Sequence, residues 1–134
     1  MPLKAVAFDW GHTVMDECQD SDVALDVRRW LERAGLSALF RWVITSVDAG
    51  ARKPAPQFFQ YALARCGLAK EDALFVGNQL NTNVSGAVAF GIATAWLSGP
   101  DYRSADDAPC NASPTYTIQT LNDLPALLRR LHQQ

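Results

Sequence analysis

The chain has 134 residues, a formal net charge of -2, and 49% hydrophobic against 19% charged residues. That size supports one domain over 1–134 with a sizeable core and is too small for two. The weak negative charge gives no basic field for nucleic acid, and no apolar run approaches the ~20 residues that a membrane span needs.

In chain order, Lys4-Ala-Val-Ala-Phe8 is a short apolar run of the kind that forms a buried parallel strand, and it is followed by Asp9. Residues 22–36 carry Val23, Val27, Trp30, Leu31 and Ala34 at helical spacing, with Gly35 near the end. Trp42-Val-Ile-Thr-Ser46 is expected to be a second strand. The loop 49–56 leads into a helix with Pro56 near its first turn, running to about Cys66. Ala73–Val76 is a third strand ending at Gly77-Asn78, and a helix is expected over Asn81–Phe90, stopped by Gly91. Ile92–Leu97 is a fourth strand, and residues 98–114, with Gly99, three prolines and three aspartates, form a loop. Tyr116–Ile118 is a short fifth strand. An amphipathic helix closes the chain, with Asn122 or Asp123 as cap and Pro125 in its first turn. Alternating strands and helices predict a doubly wound, Rossmann-like parallel α/β sheet. Cys18, Cys66 and Cys110 have no metal-type spacing, and the N-terminus lacks a charged region followed by a long apolar run. Both features suit a reducing cytoplasm.

Such a sheet gathers its chemistry at the carboxyl ends of its strands. The polar residues predicted there are Asp9, Thr45 and Ser46, Asn78 with Asn83, and Ser98, and Lys53 lies in the loop after the second strand. A carboxylate, a hydroxyl pair, a lysine and helix N-terminal amides after Gly77 together suit a phosphoryl group, which Asp9 could attack. The plainer roles of the same residues are a turn cap for Asp9, a solvated loop lysine for Lys53, and turn or helix caps for the two asparagines. His12 is a loop histidine whose ordinary pKa would also suit a replacement acid.

Three segments, in order and at characteristic spacing, carry a family resemblance. They are Phe8-Asp9-Trp10-Gly11-His12-Thr13, then Val43-Ile44-Thr45-Ser46 through Gly50-Ala51-Arg52-Lys53-Pro54, and Leu74-Phe75-Val76-Gly77-Asn78 through Asn83-Val84-Ser85-Gly86-Ala87. On these the chain resembles the haloacid dehalogenase-like (HAD) hydrolase superfamily, and within it the small phosphatase-like members. The resemblance implies a HAD-like core and magnesium-dependent hydrolysis of a small phosphorylated molecule. It makes Asp9 the nucleophile that forms an aspartyl-phosphate, and Lys53 the group that holds phosphate and nucleophile together. The Asp9 carboxylate, the Gly11 carbonyl and Asn78 would serve the magnesium ion, with Asn78 and Asn83 standing where the family has acids.

The chain departs from that pattern in three places. Gly11 lacks the acid that protonates the leaving group, a contribution of roughly 10²–10⁴-fold. Asn78 and Asn83 are neutral, whereas magnesium prefers charged oxygen ligands. One family strand is missing, because the short stretch 14–21 is acidic and polar. Strand 42–46 is therefore expected beside strand 4–8, with Thr45 or Ser46 as a substitute phosphate-binding hydroxyl. A second copy of the chain, as a homodimer, is the other way to fill the gap. There is no room for a cap, so the site would be open to solvent and the loop 98–114 would choose the substrate. Two functions follow: a weak phosphatase-type hydrolase, or a catalytically degenerate domain that keeps the fold for binding or structure.

Overall fold

The computed structural model describes residues 3–8, 31–33, 35, 37–44, 46–51, 55–102 and 112–132. Four parallel strands form one sheet in sequence order: β1 (Ala5–Phe8), β2 (Ala73–Gly77), β3 (Ala93–Leu97) and β4 (Tyr116–Ile118). The register sets Phe8 opposite Val76, Val76 opposite Ala95, and Leu97 opposite Ile118. Before β1, the Lys4 N–H extends the ladder by donating to the Asp72 carbonyl at 2.8 Å.

Helices cover both faces, as an all-parallel sheet requires. Every residue of β2 is buried, and its alternating side chains feed two separate cores. Leu74 and Val76 join Ala95, Leu97 and Ile118 beneath α4 (Leu124–His132), which inserts Leu124, Leu127 and Leu131. Burial of each leucine stabilises by roughly 1.5–3 kcal/mol. Ala73 and Phe75 face the other way, toward α2 (Pro56–Cys66) and α3 (Ser85–Phe90). There Phe59 meets Phe75 edge-on, with ring centroids 5.9 Å apart. Helix α2 ends at Gly67, whose left-handed φ of 68° lets the Leu68 N–H reach back to the Leu63 carbonyl at 3.0 Å. Residues 31–33 are helical and Leu31 is buried, in line with the end of the expected helix 22–36, and Gly35 turns with a positive φ of 72°; residues 22–30, 34 and 36 lie outside the described residues.

The expected strand 42–46 is not formed. Residues 42–44 have no regular structure, and Ser46 opens a one-turn helix, α1 (Ser46–Ala49). The apolar side chains of this stretch pack on α2 instead of on a strand. Ile44 lies against the Phe58 and Phe59 cluster, and the Trp42 ring sits under the Arg65 guanidinium at 4.5 Å. A five-residue apolar run does not by periodicity distinguish strand from packing segment. β1 therefore pairs with β2 and, among the described residues, with no strand from 42–46.

Two boundaries also differ. The helix expected from Asn81 starts as a π-helical turn over Leu80–Val84, with the Val84 N–H on the Gln79 carbonyl at 3.0 Å, and becomes α-helical only at Ser85. Asparagine and threonine offer the backbone local alternatives to helical bonding. The last helix is led by a 3₁₀ turn, Leu121–Asp123, capped by Thr120 rather than by Asn122 or Asp123. Thr120 Oγ1 accepts from the Asn122 N–H at 3.2 Å, and the Asp123 carboxylate accepts from the Thr120 N–H at 3.1 Å.

Candidate active site

The carboxyl ends of the strands meet at one edge. β1 stops at Phe8, opposite Val76, so the chain leaves β1 one step before Gly77-Asn78 leaves β2. β3 stops at Leu97, beside Trp96 and Ser98.

Asn78 is the best-defined polar group of this edge, and only 3% of it is exposed. Its Nδ2 donates to the Tyr102 carbonyl at 2.7 Å, and its own carbonyl accepts from Trp96 Nε1 at 2.9 Å. Because a neighbouring carbonyl demands a donor, the amide nitrogen is the atom that faces Tyr102. Asn83, also buried, donates through Nδ2 to Gln79 Oε1 at 3.3 Å, back toward the start of the π-helical turn.

The segment after β3 is held firmly. Ser98 N–H donates to the Ile118 carbonyl at 2.8 Å and Gly99 N–H to the Gln119 carbonyl at 3.1 Å, so pairing with β4 continues past the strand ends. A Cβ at Gly99 would run into the Gln119 carbonyl oxygen, which explains why glycine stands here. The chain then makes a 3₁₀ turn, Pro100–Tyr102, closed by the Tyr102 N–H on the Gly99 carbonyl at 3.0 Å. The Tyr102 hydroxyl accepts from the Leu121 N–H at 3.3 Å. Tyr102 and Trp96 did not stand out in the sequence as site residues. Gly99-Pro100 marks the turn, but no local signal shows which strand tip it meets.

The other expected site residues divide into two groups. Asp9, Gly11, Thr45 and Lys53 lie outside the described residues. Ser46 is described as the first residue of α1. The strand over 42–46 on which the substitute hydroxyl was expected is not formed among the described residues. Among the described residues no group of three or more His, Cys, Asp or Glu could hold a metal ion. Asn78 and Asn83 could offer a magnesium ion neutral amide oxygens only, so the charge would have to come from Asp9.

Away from this edge, burial pushes the Cys66 thiol above its ordinary pKa, with Arg65 and then Arg41 pulling weakly the other way. A shallow hollow lined by Val88, Gly91, Ile92, Ala93 and Thr115 lies at the opposite end of β3 from Ser98.

The fold and sequence match known proteins. A glyceraldehyde 3-phosphate phosphatase of Methanocaldococcus jannaschii is 31% identical over 109 residues, covering 80% of this chain and 46% of that protein. An uncharacterized protein from Listeria monocytogenes serotype 4b has a solved structure that superposes with a TM-score of 0.77 at 20% identity, covering 98% of this chain and 100% of the other, a likeness of fold. A magnesium-bound HAD-hydrolase of Bacillus subtilis superposes with a TM-score of 0.67 at 26% identity, covering 80% of this chain and 44% of the other. The chain spans less than half the length of the curated relatives named first among its matches. The HAD-hydrolase-like family pattern matches residues 50–124, more than half of the sequence, and the chain belongs to that family.

Proposed function

We propose that the chain is a phosphatase-type hydrolase acting on a small phosphorylated molecule, with Asp9 as nucleophile and Lys53 holding the phosphoryl group. The observation that carries this reading is the register of Phe8 with Val76, because β1 then ends beside the strand that runs on into Gly77-Asn78. The phosphatase relative supports the substrate class. The Asp9 carboxylate attacks phosphorus, the ester oxygen departs with the bonding electrons, and an aspartyl-phosphate remains. Water then cleaves that acyl phosphate, releasing inorganic phosphate and the carboxylate. Magnesium, held by Asp9, the Gly11 carbonyl and Asn78 Oδ1, would supply charge neutralisation at the phosphoryl oxygens. With glycine at position 11 the departing oxygen gets no proton from that side chain, so the activity is weak. The test is turnover of p-nitrophenyl phosphate with magnesium chloride. The wild type turns over, and Asp9→Ala falls to background; equal turnover in Asp9→Ala overturns the assignment.

A second reading is favoured by the commitment of the Asn78 amide to Tyr102 and by the neutral Asn78 and Asn83, which stand where the family resemblance has acids. In it the domain keeps the HAD fold for a binding or structural role and has lost the chemistry. Magnesium chloride at roughly millimolar concentration then leaves the unfolding temperature unchanged, where a weak one-site ligand would raise it by mass action.

A further inference from the structure

Two hydrogen bonds hold Asn78 from opposite ends. Its side chain donates to the Tyr102 carbonyl at 2.7 Å, and its backbone carbonyl accepts from Trp96 Nε1 at 2.9 Å. The second bond comes from the neighbouring strand. The register sets Trp96 opposite Gly77, the last residue of β2, so the indole reaches one residue beyond the paired ladder. Ala95 and Leu97 point into the core beneath α4, and strand alternation turns Trp96 to the other face. The ring is half-buried there, and its N–H, once out of water, needs an acceptor. The Asn78 carbonyl lies in the same peptide plane as the Gln79 nitrogen. Gln79 in turn offers the carbonyl on which the Val84 N–H closes the π-helical turn.

We propose that Trp96 is a positioning residue of the candidate site: its indole N–H fixes the Asn78–Gln79 peptide, and with it the direction in which the Asn78 side chain leaves the tip of β2. Trp96 acts through Asn78 in this role. A phenylalanine at this position would fill much of the same space and leave the carbonyl unheld, because its ring has no donor. The effect on turnover rests on the phosphatase reading; the hold on the peptide does not.

The test is heteronuclear NMR of the full, nitrogen-labelled chain as wild type, Trp96→Phe and Trp42→Phe. In the wild type the Trp96 indole proton exchanges at least about tenfold more slowly than that of the exposed Trp42. In Trp96→Phe the two Asn78 carboxamide protons exchange about two- to tenfold faster and their signals move toward those of free asparagine, whereas Trp42→Phe leaves them in place. Unchanged Asn78 carboxamide signals in Trp96→Phe overturn the proposal. A Trp96 indole proton that exchanges as fast as that of Trp42 also overturns it, and that measurement needs no variant to fold. With p-nitrophenyl phosphate, Trp96→Phe lowers kcat by about two- to tenfold and leaves KM within about twofold. A rise in KM at constant kcat overturns the link to turnover. A wild type without turnover removes that link together with the phosphatase reading, and the NMR result still decides the hold on the peptide.

Discussion

Gly99→Ala should be among the most damaging single-methyl changes in the described part of the molecule. Gly99 is buried, its N–H donates to the Gln119 carbonyl at 3.1 Å, and an added Cβ would strike that same carbonyl oxygen. The obstacle is backbone rather than a flexible side-chain end, so β3 and β4 must separate at their carboxyl ends. Overpacking of this kind costs about 1–3 kcal/mol, and the weakened hydrogen bond adds about 0.5–1.5 kcal/mol. The expected loss is about 2–4 kcal/mol, a large share of the ~5–15 kcal/mol by which domains are stable. At roughly 3–4 °C per kcal/mol for a chain of this size, Tm falls by about 6–16 °C. Gly67→Ala is the control. Its φ of 68° strains any side chain, but nothing lies within 4 Å of the added carbon, so only the left-handed penalty of ~1–2 kcal/mol applies. Thermal unfolding followed by far-UV circular dichroism measures both. A Gly99→Ala protein that melts within a degree or two of the wild type, or above Gly67→Ala, would refute the close approach of the two strand ends.

Other outcomes are equally specific. Leu127→Ala removes a buried leucine at the centre of the α4 contact and costs about 2–5 kcal/mol in urea unfolding. Thr120→Ala deletes the cap ahead of α4 and costs about 1 kcal/mol by the same measurement. Because burial raises the Cys66 pKa, the folded state holds its thiol proton to higher pH than the unfolded state does. Its contribution is complete below the unfolded thiol value of ~8.5 and is lost as pH rises through the folded one, so Cys66→Ser should flatten a decline in stability above that pH. Alkylation of Cys66 by iodoacetamide, followed by mass spectrometry, is slower in the folded protein than in urea. With no acid at position 11, the rate should depend steeply on the leaving group. p-Nitrophenyl phosphate should exceed an alkyl phosphate by at least the ~10²-fold that general acid catalysis ordinarily contributes, and comparable rates would contradict the role given to Gly11.

The parts of the fold that could be read in the sequence are those where pattern and punctuation agree. β2 is an apolar run closed by Gly77, β3 is apolar apart from Thr94 and is closed by Ser98, and α2 has proline at its start and glycine after its end. Residues 42–46 have the composition of a strand without its partner. Their fate was set by Arg65 and the Phe58–Phe59 cluster on α2, a tertiary effect that no local pattern contains. The start of the helix after β2 was misplaced because Asn81, Thr82 and Asn83 are poor helix formers, and the chain closes a wider turn there. At the candidate site, Asn78 could be recognised as neutral where an acid was expected. Its hydrogen bond to the Tyr102 carbonyl could not, because Tyr102 is 24 residues away.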